Sequence, residues 1–296
     1  MSASEPTTIV SPREVQVGRR KFLRNAGALG LGVAASLSAG TALAESAQER
    51  AQEIEQSKDT VKEIFTAALI AEDLASTFYF NGLVGSVIQD DALAGPGGTA
   101  TNVTPAGDFG NVQYIRAALA EEISHASLFR SLLGISDASK DPVQTFYFPS
   151  GSFDTLGPFL ALLDALENAF IGAYMNAIQE FATMSSRLRI LGFLEGNEQK
   201  YTAEQLDYFA KVAASIMGVE CEHRVLGRDI GEMTPANNRL YESTDGINAV
   251  FNGPNSAVAA LTPFLTPSTG PAYSLGFALA NQSAVAGTVS GAPPAF

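Results

Sequence analysis

AEEISHASLFR, residues 120–130, and GVECEHRVLGRDI, residues 218–230, hold the only two histidines of a 296-residue chain. Each histidine has a glutamate three positions before it, Glu122 before His125 and Glu220 before His223. Each has a leucine three positions after it and an arginine five positions after it: Leu128 and Arg130, Leu226 and Arg228. A second pattern precedes each of these segments. EDLASTFYFN starts at Glu72 and ENAFIGAYMN at Glu167, and both read Glu, then Tyr seven positions later (Tyr79, Tyr174), then Asn nine later (Asn81, Asn176). The chain therefore duplicates a pair of segments.

The surrounding periodicity is helical. Four helices are expected, over about 57–83, 111–133, 155–188 and 202–230, the last opening on the TAEQ of a capping box. The first should bury a stripe of Ile64, Ala67, Ala68, Ala71, Ala75 and Phe78. On a helix, positions i and i+3 share a face, so each Glu-x-x-His can aim both side chains at one point. Tyr79 and Tyr174 fall two turns beyond Glu72 and Glu167 on the same face, whereas the Asn and Arg positions turn away and serve as markers of the duplication.

Antiparallel packing would bring Glu72, Glu122, His125, Glu167, Glu220 and His223 into one layer. Four carboxylates and two imidazoles on apolar helices need something to compensate their charge. Two divalent cations would do so, and the oxygen and nitrogen ligands suit iron, manganese or zinc. Glu121 and Glu222 are neighbouring alternatives, but the duplication aligns Glu122 with Glu220.

The segments AEDLASTFYF, ALAEEISHASLFR, LDALENAFIGAY and AASIMGVECEHR resemble the ferritin-like superfamily. More narrowly, they resemble exported ferritin-like proteins related to plant desiccation-related proteins. The resemblance covers roughly residues 57–230. It implies an all-α fold, a ferritin-like four-helix bundle with a long crossover between helices 2 and 3. It also implies two divalent metal ions, iron first and manganese as the alternative. Glu72 and Glu167 would be terminal ligands and Glu122 and Glu220 bridging ones, with His125 and His223 each on one metal.

The rest of the chain sets the context. Residues 84–110 are rich in Gly, Thr and Pro and read as a long loop. Residues 135–154 could run the length of a bundle, with Phe146-Tyr147-Phe148 extended along it. After Thr234 the sequence turns to Ala, Ser, Pro, Gly and Asn, with no charge beyond Asp245; an irregular C-terminal extension is expected, either packed over the bundle through Phe251, Leu261, Phe264, Leu265 and Phe277 or mobile, and its low charge also fits an interaction segment. At the other end, GRRKFLRNAG places Arg19 and Arg20 before an Ala/Gly-rich apolar stretch and an Ala42-Leu43-Ala44 cleavage pattern. This resembles a twin-arginine export signal. The expected organisation is a signal over 1–44, a bundle over 45–233 and the extension over 234–296, with no transmembrane span beyond the N-terminal segment.

A net charge of −13 without a basic patch argues against nucleic acid. A single cysteine, Cys221, excludes an internal disulfide, and the absence of Cys-x-x-Cys excludes a rubredoxin-type iron site and attached c-type haem. The expected partners are metal ions, a small oxidant such as oxygen or peroxide, and the twin-arginine export machinery; the sequence leaves open whether copies form a homo-oligomer. Two functions are compatible: an exported di-metal oxidoreductase acting on oxygen, peroxide or ferrous iron in the periplasm or outside the cell, or a non-enzymatic, metal-stabilised stress protein.

Overall fold

The computed structural model describes residues 59–192, 194, 200–233, 236 and 260–287. The segment read as an export signal and most of residues 234–259 lie outside them. The described residues form four long helices, α1 (Val61–Val84), α2 (Phe109–Leu133), α3 (Leu156–Leu191) and α4 (Ala203–Ile230). Between α2 and α3 runs the short strand β1 (Thr145–Tyr147), and the tail supplies β2 (Ala272–Ser274) and α5 (Leu275–Asn281).

Local chemistry sets the helix ends. The Thr60 backbone N–H donates to the Glu63 carboxylate, and the Glu63 N–H donates to the Thr60 hydroxyl, so α1 opens on a reciprocal box not anticipated from periodicity alone. Asp108 caps α2 by accepting from the Asn111 N–H at 3.0 Å, which starts the helix two residues earlier than expected. Gly134 ends α2 in the left-handed region at φ 69°, which lets the Ile135 N–H reach back to the Arg130 carbonyl. Thr202 and Gln205 form the expected box on α4. Pro158 sits in the first turn of α3, where no intrahelical partner is required.

The chain divides into two compact units. One contains residues 68–161 and 263–287 of those described; the other contains 59–67, 162–192, 200–233 and 260–262, with residues 194 and 236.

In the first unit α1 is buried all the way round from Leu69 to Phe80, not along one stripe, while Ala68, and Ala67 in the second unit, are only half-buried. The cover comes from the start of α3, the crossover and the tail. Phe78 stacks on Phe159 with ring centroids 4.6 Å apart and meets Phe148 and Phe153, and Phe80 meets Phe277 of the tail. β1 and β2 pair antiparallel with Phe146 opposite Tyr273, so the expected extended Phe-Tyr-Phe piece gains a partner from the tail. Arg116 on α2 fixes the tail further on, donating to the Val285 and Ala286 carbonyls while its own carbonyl accepts from the Gly287 N–H. The 85–108 connection is ordered: the Asp108 N–H donates to the Leu93 carbonyl, the Thr104 N–H to the Ala94 carbonyl, and Leu93 and Ala94 are buried.

The second unit is centred on α3 and α4. Phe65, Phe181 and Phe209 form an aromatic cluster, joined by Tyr201. Burying such side chains contributes about 1.5–3 kcal/mol each. By length and composition α3 is apolar enough to cross a membrane, against the expectation that no segment outside the N-terminus would be. It nevertheless carries Asp164 and Glu167, both buried.

Candidate metal centre

Each unit contains one copy of the duplicated pair. In the first, Glu72 comes from α1, and Glu122 and His125 come from adjacent turns of α2. His125 Nδ1 lies 3.2 Å from Glu72 Oε2 and 3.9 Å from Glu122 Oε2. In the second, Glu167 comes from α3, and Glu220 and His223 come from α4. His223 Nδ1 lies 3.3 Å from Glu220 Oε2 and 3.9 Å from Glu167 Oε1. Within each triad the three side chains offer ligand atoms that all lie within 4.8 Å of one another. All six candidate residues from the sequence therefore fall into two matching triads.

The triads are dry. Glu72 and Glu167 are 1% exposed, Glu122 and Glu220 0%. His223 is buried too, while the His125 side chain keeps 13% exposure. An ion buried without compensation costs several kcal/mol, so each pair of carboxylates requires positive charge close by. In the first triad part of it comes from the imidazole. Burial, the largest single influence, pushes His125 down, but the Glu72 and Glu122 carboxylates together outweigh it and hold the ring well above the usual histidine range. The donor set of each triad, two carboxylates and one imidazole, fits a divalent transition metal: hard oxygen and borderline nitrogen donors arrive from two helices.

Residues outside the triads behave differently from one another. Glu121 is half-buried and Glu222 exposed, in keeping with the alignment that passed over them. Tyr79 and Tyr174 are buried, Tyr79 against the Phe78 ring. Cys221 is half-buried. Arg130 and Arg228, read from sequence only as markers, reach acids that are buried, Arg130 from a half-buried position and Arg228 from a buried one. Arg130 reaches Asp73 at 2.5 Å and Asp141 at 2.7 Å; Arg228 reaches Asp164 at 2.7 Å. Arg224 donates to the Asn168 side-chain carbonyl at 2.8 Å. Sequence reasoning passed over Asp73, Asp141 and Asp164. The available signal was an acid on an otherwise apolar helix, one position after Glu72 and three before Glu167.

Residues 60–198 match the family model of the ferritin-like domain. The match takes in α1, α2 and α3 with Glu72, Glu122, His125 and Glu167, and stops before α4, so Glu220 and His223 rest on the internal duplication. No curated protein and no solved structure matches the chain significantly. The fold is all-α and of the ferritin-like bundle class.

Proposed function

We propose, from the ferritin-like domain over residues 60–198, that the protein binds two divalent metal ions per chain in a carboxylate centre. Glu72, Glu122 and His125 would hold one ion; Glu167, Glu220 and His223 would hold the other. Iron is the first choice and manganese the second, because both accept this ligand set. The observation that carries the reading is the repetition of one buried donor set, with each triad gathered within 4.8 Å. Burial excludes water from the carboxylates, and the helices fix their spacing before any ion arrives. Two such ions would supply one-electron changes for reaction with oxygen, peroxide or ferrous iron. Before binding, His125 must give up the proton that Glu72 and Glu122 help it keep.

Elemental analysis of protein purified from its native host without added metal tests this. About two iron or manganese atoms per chain, lost in Glu122→Ala/Glu220→Ala, support it and justify assays with oxygen and peroxide. A folded, metal-free wild type excludes it. The arginine pair at Arg19 and Arg20 supports export by the twin-arginine route to the periplasm or beyond, which fractionation of the host would test.

A second reading, a non-enzymatic stress protein of desiccation-related type, is favoured by the tail. Residues 263–287 fold onto the first unit outside the matched domain, which is a structural investment with no evident part in chemistry. Under this reading metal removal lowers the melting temperature and no turnover is found.

A further inference from the structure

Two arginines, Arg130 half-buried and Arg228 buried, repeat with the triads. Arg130 and Arg228 each stand five residues after the triad histidine, in the last turn of α2 and α4. Each reaches across to the glutamate-bearing helix of its own unit. Arg130 Nη2 donates to Asp73, which directly follows Glu72 on α1, and Arg228 Nε donates to Asp164, which lies one turn before Glu167 on α3. Each also holds the segment leaving its helix: Arg130 Nε donates to Asp141, and Arg228 Nη1 donates to the Ala236 carbonyl. In the second unit Arg224 adds a bond to Asn168, the repeat counterpart of Asp73.

We infer that Arg130 and Arg228 are positioning residues for the two metal triads, a step that rests on the metal-binding reading above. Each triad takes one ligand from one helix and two from its neighbour, so its geometry depends on how the two helices are registered along their axes. Apolar packing resists small slides, but a shift by a whole turn can bring a second set of apolar contacts together. A buried, charge-assisted hydrogen bond does not slide: a shift by one turn strands a carboxylate and a guanidinium away from water. Arg130 locks α1 to α2 beside Glu72, Glu122 and His125. Arg228 locks α3 to α4 beside Glu167, Glu220 and His223.

The test is Co(II) titration of the full-length chain, stripped by chelation, read by visible absorption and elemental analysis, with far-UV circular dichroism as the fold control. The wild type should take two Co(II). A background of His223→Gln leaves the first triad as reporter. On it, Arg130→Gln should weaken Co(II) about 10- to 100-fold and shift its visible spectrum, a larger effect than that of Arg228→Gln. On His125→Gln the roles should reverse. Arg130→Lys should recover part of the loss by restoring the charge without the fork. Should Arg130→Gln not fold, Asp73→Asn/Arg130→Gln/Asp141→Asn replaces the arginine and both of its acid partners, and Asn168 shows that an amide suits the position equivalent to Asp73. Wild-type Co(II) affinity and spectrum in a folded arginine variant would overturn the inference while leaving the metal site standing. A wild type that takes no Co(II) would remove the metal-binding reading itself, and the inference with it.

Discussion

Glu72 Oε2 on α1 lies 3.2 Å from His125 Nδ1 on α2, joining two helices whose ligand positions are 53 residues apart in sequence. Glu72 and Glu122 together raise the His125 pKa well above the usual range, against its burial. Linkage gives this a sign. In the metal-free chain the folded state holds the proton more tightly than the unfolded state, whose histidine titrates near about 6.5. The contribution to stability is complete below that pH and is lost as pH rises through the raised folded value. Metal requires the neutral ring, so protons and metal compete. Metal-free wild type should therefore lose melting temperature between about pH 6.5 and the His125 titration, and His125→Gln should flatten that slope. Metal uptake by wild type should release a proton that the variant does not release. A slope unchanged in His125→Gln would refute the prediction.

Glu220 is 0% exposed, so its substitution should act with opposite sign in the two metal states. Without metal, Glu220→Gln replaces one of the two buried carboxylates of the triad at nearly constant shape, keeps an amide oxygen within reach of His223 Nδ1, and should raise the melting temperature. With saturating metal it removes a ligand and should lower it. Wild type gains about 2.7 kcal/mol when free metal is 100 times the dissociation constant. Calorimetry with chelator and with Mn(II) reads both. The same sign of change in both conditions would count against a metal ligand at Glu220.

The triads were legible in the sequence because helical spacing and an internal repeat are both one-dimensional signals. Glu122 and His125 had to share a face, and the match to Glu220 and His223 made chance a poor account. The cap at Thr202 was equally local. What the sequence did not disclose depends on contacts between distant segments. The partners Asp73 and Asp164 become visible only when α1 meets α2 and α3 meets α4, because Arg130 and Arg228 turn off the triad face. β1 and β2 are three residues each, too short for an alternating pattern, and their pairing joins residues 145–147 to 272–274. The stripe drawn for α1 was too narrow for the same reason: Phe80, outside it, is covered by Phe277 of the tail, a contact between residues far apart in sequence.

Phe148 joins those two coverings. It is fully buried and its ring meets Phe78 of α1, Phe153 of the crossover, and Phe264 and Tyr273 of the tail, with centroids 5.3–5.9 Å apart. Phe148→Ala leaves a cavity among four rings and should cost about 3–5 kcal/mol. The loss should appear first in the tail: limited proteolysis should cut within residues 263–274 in the variant and spare the wild type. Equal protease resistance in the two proteins would mean that β2 and Arg116 hold the tail without the aromatic cluster.

Gly82 sits near the end of α1, where alanine would normally strengthen a helix by roughly 0.5–1 kcal/mol. Here the sign should reverse. A Cβ at position 82 would lie 2.5 Å from Cε2 and 2.8 Å from Cζ of Phe159. That ring cannot turn aside freely, since it is fully buried and stacked on Phe78 at 4.6 Å with an interplanar angle of 4°. Overpacking of this kind costs roughly 1–3 kcal/mol, which exceeds the helical gain. Gly82→Ala should therefore lower stability in urea unfolding. Phe159→Leu should relieve the clash, so the double variant should be more stable than the sum of the two single losses. Additive losses would show that the Phe159 ring is not what the glycine accommodates.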